Sequence, residues 1–191
     1  IESFANVNLL ISNPPYIRHH YIGKEQKSKL STMAQKETGL SLSGLAGLYC
    51  YFILSAHKWL APDAICGWLI PSEFMDVNYG GKLKEYLLNK VHLLRVHRYN
   101  PENCKFDDAL VSSCVVWFKN ETMENNYDVE FSYGGTLEKP EVSRNVDRNT
   151  LGKSRKWTHF PIKDETFLST HAPTLGDFFT IKRGLATGDN D

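Results

Sequence analysis

The sequence shows no excess of charge of either sign: 22 Lys and Arg balance 22 Asp and Glu over 191 residues, and the isoelectric point is near 7.2. That balance argues against a protein whose whole surface coats nucleic acid, while leaving room for a local basic patch. No apolar run approaches the roughly 20 residues a membrane span needs; the longest candidate, around Leu48 to Leu60, is broken by Ser55, His57 and Lys58. Ile1 to Asn6 carry no basic start, apolar stretch or cleavage site of a signal peptide, so a cytoplasmic setting is the expectation. No Cys-x-x-Cys is present; Cys50, Cys66, Cys104 and Cys114 are widely spaced in mostly apolar contexts and read as buried thiols rather than zinc ligands or disulfides. His19-His20 and His92/His97 have no third ligand, so no metal site is expected. There is no internal repeat. The hydrophobic fraction, 41%, is too high for a disordered tail, and the length suffices for a sizeable core. The chain opens without Met and closes on a run, Gly184 to Asp191, that leads onward, so it is expected to be a piece of a longer protein.

Along the chain, short aliphatic runs alternate with helical segments. Val7 to Ile11 is a short apolar run bounded by proline, which favours a buried strand. Residues 17–40 are rich in Lys, Gln, Ser and Thr and read as a loop with one short exposed helix. An amphipathic helix is expected from Leu48 to Leu60, ended by Ala61-Pro62-Asp63 because proline disfavours helical geometry in the residue before it. A second buried strand follows at Ala64 to Ile70, stopped by Pro71, then a helix from about Asn78 to Asn89 and strands at Val91 to Tyr99 and Leu110 to Lys119. Strand, helix, strand, helix, strand is the order of an α/β doubly wound sheet, in which ligands sit beyond the carboxyl ends of the strands. The residues after Ile11 and Ile70 are therefore the places to look.

Beyond Asn120 the chain is polar and alternates weakly over 121–170, with one strand expected at Tyr127 to Tyr133 and a turn at Gly134-Gly135. Between Lys139 and Trp157 six basic residues (Lys139, Arg144, Arg148, Lys153, Arg155 and Lys156) face two acidic ones, a local charge of +4. A solvated loop and a phosphate-contacting surface are both compatible with that stretch.

At the end of the first strand stands Ser12-Asn13-Pro14-Pro15-Tyr16. Two consecutive prolines fix φ and remove two backbone donors, so the turn offers carbonyl acceptors. Asn13 adds a side-chain carbonyl. Together they make a rigid acceptor for an NH2 group, and Tyr16 offers a flat ring for a planar substrate. An amine held by two acceptors is a better nucleophile toward an electrophile held in line. The alternative is an ordinary proline-rich turn.

Leu9 to Tyr16 resembles the catalytic motif of S-adenosylmethionine-dependent amino-methyltransferases acting on the exocyclic amine of adenine in DNA. Gly67-Trp68-Leu69-Ile70-Pro71-Ser72-Glu73-Phe74 resembles the family's later strand motif, and Phe106 to Ser113, followed by Cys114 to Phe118, resembles the motif near its last hairpin. The register from 7 to 119 is similar to the second half of a gamma-class catalytic domain, as in type II restriction-modification enzymes. The resemblance implies the C-terminal half of a Rossmann-like methyltransferase sheet ending in an antiparallel hairpin (1–120), an insertion or linker with the basic stretch (121–170), and the start of a target recognition domain (171–191).

By that resemblance Asn13 and the Pro14 carbonyl accept from the adenine amine, with Pro15 completing the turn. Tyr16 and Phe106 stack on the flipped base from its two sides. Phe52 matches the position that packs on the cofactor's adenine and Pro71 borders the cofactor pocket, although a helix-core role for Phe52 and a strand-ending role for Pro71 explain those residues equally well. Arg18, His19, His20 and Lys24, with Arg144, Arg148, Lys153, Arg155 and Lys156, are the expected DNA contacts. Extruding a base costs a few kcal/mol, and each aromatic stack returns about 1–3 kcal/mol, so two rings offset the flip.

The implied cofactor is S-adenosylmethionine, but the glycine-rich turn and acidic strand end that hold it in this family have no counterpart here, since only twelve residues precede Asn13. The chain alone is therefore expected to be inactive. The implied partners are double-stranded DNA and a fused or separate endonuclease, with no membrane; recognition sequence and oligomeric state are not legible. Two rivals share the motif or the architecture. Enzymes that methylate a glutamine side chain in release factors carry the same tetrapeptide, against which stand Phe106, the basic stretch and the continuation past residue 119. A non-catalytic DNA-binding subunit complemented by another chain has no need of an amine-binding turn.

Overall fold

A computed structural model describes residues 6–100, 112–123, 125–161 and 175–180. Six strands form one mixed sheet: β1 (Val7–Ser12), β2 (Leu60–Pro71), β3 (His92–Arg98), β4 (Ser113–Lys119), β5 (Asp128–Tyr133) and β6 (Val142–Asp147), in the order β1-β2-β4-β3-β5-β6. β1, β2, β3 and β5 run in one direction, and β4 and β6 run against them. The expected α/β sheet with an antiparallel hairpin is thus present, with β4 inserted between β2 and β3. Helices α1 (Lys24–Thr38) and α2 (Leu48–Ala56) connect β1 to β2, and α3 (Gly81–Asn89) connects β2 to β3. α4 (Arg148–Lys153) follows β6, and a short helix, α5, covers Leu175–Phe178.

Several segments differ from the sequence reading, each for a physical reason. The loop expected over 17–40 contains a fifteen-residue helix, α1. Its Lys, Gln and Glu are good helix formers without a broad apolar stripe, and Gly39 stops it in the left-handed conformation at φ 73°, its N–H donating to Gln35 O. Ala61-Pro62-Asp63 does not separate helix from strand, because β2 already begins at Leu60. These residues form a bulge: Val7 pairs with Leu60 but Leu9 with Ile65, and Asp63 takes φ 64° while Lys119 binds its carboxylate at 2.7 Å.

The stretch expected as an insertion or linker, 121–170, contributes β5 and β6 to the same sheet. β6 escaped notice because it is an edge strand in which only Val146 is buried, so its alternation is faint. α4 is capped by Asp147, whose carboxylate accepts from the N–H groups of Asn149 and Thr150. The chain from Ser154 to Phe160 then runs back along α3. Buried Lys84 holds it by donating to the carbonyls of Met75 and Arg155, and Trp157 packs edge-on to Phe74 and Phe131.

The core is continuous from α2 through the sheet to Trp157 and Phe160. Cys50, Cys66 and Cys114 are buried free thiols, as expected; burial pushes the first two up to about 12, so they stay neutral. Cys104, Phe106, the start of the strand expected at Leu110 and most of 171–191 lie outside the described residues.

Candidate active site

Asn13 follows β1 directly, at the carboxyl edge that β1 shares with β2, where Ser12 pairs with Trp68. Pro14 is buried and holds the turn against the body of the protein, while Asn13 and Pro15 are exposed. The Asn13 amide makes no hydrogen bond to another described residue. Tyr16 crosses over the end of β2 and donates its hydroxyl to Leu69 O at 3.0 Å, leaving the residue 37% exposed. Burial, reinforced by the neighbouring Cys114 thiol, pushes that hydroxyl above the ordinary tyrosine value, so it remains a donor. The turn is thus fixed at Pro14 and Tyr16 and free at Asn13.

The chain after the turn is pinned as well. Leu48 N–H, one of the unpaired donors at the start of α2, donates to Ile17 O at 2.9 Å. Gly47 makes room for the Tyr49 ring beside this junction: a Cβ there would lie 2.9 Å from it. Tyr16, Arg18 and Pro71 line one small recess with Tyr49 and Glu73. Arg18, His19 and His20 line an adjoining cleft of about 260 Å³ with Leu45, Glu73 and Tyr79. Burial, and next the Glu73 carboxylate, hold the Tyr79 hydroxyl well above its ordinary value. Glu73, Tyr49 and Tyr79 had not been singled out as site residues; the signal available was Glu73's place two residues beyond Pro71.

The remaining candidate residues lie apart. Phe52 is 42% exposed on α2 and lines an apolar groove of about 400 Å³ with Leu10, Ile11, Ser12, Trp59 and Trp68, a different cavity from that of Pro71. Lys24 is exposed at the start of α1. Arg148 donates to Leu88 O and to Asn89 Oδ1, both at 2.8 Å, which engages it at the carboxyl end of α3. Arg155 reaches Asn78 Oδ1 at 3.3 Å, at the other end of that helix and next to Tyr79. Lys153 and Lys156 are exposed, and Arg144 sits half-buried on β6. Among the described residues, no three His, Cys, Asp or Glu converge as metal ligands, and no helix is long and apolar enough to cross a membrane.

Residues 3–104, just over half the chain, match the model of the Eco57I restriction-modification methylase family. The chain belongs to that family. Across 97% of its length this Eco57I-type methylase chain is 26% identical to the type II methyltransferase M.XamI of Xanthomonas campestris pv. amaranthicola. It spans 35–40% of the length of the first curated relatives it matches. Its fold resembles that of the type IIG restriction endonuclease BpuSI, with a TM-score of 0.60 and 17% identity over 78% of this chain and 20% of that one. It also resembles a candidate class I S-adenosylmethionine-dependent methyltransferase from Listeria monocytogenes, with a TM-score of 0.51 and 13% identity over 71% of this chain and 39% of that one.

Proposed function

We propose that the full-length protein transfers a methyl group from S-adenosylmethionine to the exocyclic amine of an adenine flipped out of duplex DNA, within a restriction-modification system. The observation that carries this reading is the Asn13-Pro14-Pro15-Tyr16 turn, anchored at Pro14 and through Tyr16 to Leu69 O, with the Asn13 amide exposed at the carboxyl edge of the sheet. Family membership supports methyl transfer as the chemistry.

In this mechanism the Asn13 side-chain carbonyl and the Pro14 carbonyl accept the two N–H donors of the adenine amine, which directs its lone pair out of the ring plane. Tyr16 stacks on the base while its hydroxyl keeps the ring fixed. Phe106 is proposed for the opposite face. No side-chain base is needed in the step: the nitrogen that takes the methyl group sheds one of its protons to solvent afterwards, and orientation and the acceptor pair supply most of the rate. The residues present fit one part of the cofactor: Phe52 lines an apolar groove of about 400 Å³ beside Ser12, whose chemistry suits a purine ring. S-adenosylmethionine, when bound, supplies the electrophilic methyl group.

The groups that would hold the rest of the cofactor are assigned to an upstream half of the domain. β1 is the sheet's edge strand, its neighbour β2 is parallel, and Leu9 and Ile11 are 57% and 70% exposed. Parallel sheets are normally covered on both faces, so an upstream segment packed on the face that carries Leu9 and Ile11 is the expected completion. Among the basic residues, Arg18, His19 and His20 are the proposed phosphate contacts nearest the turn, with Lys24, Arg144, Lys153, Arg155 and Lys156 farther out. Arg148 is the weakest of that set, since its guanidinium already caps α3. The test is Asn13→Ala in the full-length enzyme: DNA binding survives while methylation falls by about 100-fold or more, and unchanged methylation overturns the assignment.

A further inference from the structure

Val142 and the Phe178–Phe179 pair apart, the exposed large apolar side chains among the described residues fall in two places. One is the β1–α2 edge, with Leu9, Ile11, Met33 and Phe52. The other is the segment that follows the Asn13-Pro14-Pro15 turn, with Tyr16, Ile17 and Tyr21, together with Leu45, which lines a cleft with Arg18, His19 and His20. Tyr21 is the most exposed of all, at 76%. Tyr21 shares its short segment with exposed Tyr16 and Ile17, and apolar groups exposed together point to a surface that binds something.

The segment that carries Tyr21 is built to hold it still. His19–Tyr21 form a single 3-10 turn in which Tyr21 N–H donates to Arg18 O and Ile22 N–H to His19 O. Ile22 is buried on one side, and Ile17 O is fixed by Leu48 N–H on the other. The Tyr21 ring lies against that of His20, with centroids 4.1 Å apart, and His20 in turn meets His19 edge-on at 5.3 Å. Arg18 lines both the recess it shares with Tyr16 and the wider cleft, which His19 and His20 line as well, so Tyr21 follows directly on residues of that site.

We propose that Tyr21, backed by His20, enters the duplex and stacks in the space that the flipped adenine leaves. This rests on the base-flipping reading above. Taking a base out of the stack leaves two apolar base-pair faces without a partner, and an inserted ring replaces part of the lost stacking. A backbone already fixed in its turn loses little further freedom when the ring it carries inserts. Tyr16 would then receive the base that leaves the helix while Tyr21 fills its place. The substrate class is duplex DNA with an adenine in a normal pair, for which the flip is most costly.

The experiment uses the full-length enzyme with duplexes carrying 2-aminopurine at the target position, and otherwise identical duplexes carrying adenine, each paired normally or mispaired there. With wild type and Tyr21→Phe, binding should raise the 2-aminopurine fluorescence on both duplexes. With Tyr21→Ala, the rise should vanish on the paired duplex and kcat on paired adenine should fall about tenfold or more, with KM less affected. Both should recover on mispaired DNA, where flipping costs less. The proposal is overturned if Tyr21→Ala flips and methylates paired DNA like wild type. It is overturned also if the loss is equal on paired and mispaired DNA, which marks a general backbone contact, or if Tyr21→Phe loses as much as Tyr21→Ala. Failure of wild type to methylate adenine in any duplex removes the underlying reading instead.

Discussion

Tyr16 has two separable parts, a ring facing the site and a hydroxyl that holds the ring by donating to Leu69 O. Tyr16→Phe should remove one hydrogen bond, worth about 1 kcal/mol, and lower kcat/KM several-fold. Tyr16→Ala removes the stack as well and should lower it by a further factor of about 5–150; steady-state kinetics of the full-length enzyme separates the two. Lys84 carries a different kind of consequence. Burial lowers its ammonium to about 8 from 10.5, with only Asp76 acting in the opposite sense. The folded protein therefore binds fewer protons here than the unfolded chain between about pH 8 and 10.5, and stability from this group rises with pH across that window. The neutral amine still has two N–H donors for Met75 O and Arg155 O. The buried thiols, held up at about 12, lower stability over the same window in any variant, so denaturant unfolding at pH 8 and pH 10 should show a smaller loss for wild type than for Lys84→Met.

At the scale of elements, β1 and the capped helix α4 make opposite demands. Asp147 accepts from the first backbone donors of α4, so Asp147→Ala should cost about 1 kcal/mol in denaturant unfolding without touching the turn at Asn13. On β1, Ile11→Lys should leave the stability of the 191-residue chain nearly unchanged, where the side chain is exposed, yet destabilise the full-length protein, where an upstream segment is proposed to cover it. Equal, negligible effects in both proteins would argue against that covering. The same contrast explains what the sequence could reveal. The hearts of β1 to β3 were legible because short aliphatic runs are bounded by proline or polar residues, and the Asn13–Tyr16 turn was legible as a candidate site because two prolines and an asparagine at a strand end have few structural uses. α1 was not, because helix-forming polar residues carry no stripe, nor was β6, whose single buried residue leaves no alternation. Glu73, Tyr79 and Lys84 escaped because their importance comes from neighbours brought close only by the β2–α3 connection.

The molecule as a whole is a sheet whose core is continuous to its β6 side and open at β1. The account assigns the open side to a cofactor-binding half, so isothermal calorimetry should detect S-adenosylmethionine binding to the full-length protein and none in the micromolar range to the 191-residue chain. A high, cooperative melting transition of that chain alone would likewise oppose an incomplete sheet. The most direct test of the central claim is transfer of labelled methyl from S-adenosylmethionine by the full-length protein, offered adenine-containing duplex DNA and a translation release factor together. The account predicts label on the adenine amine, abolished by Asn13→Ala; label appearing only on the protein substrate would contradict it.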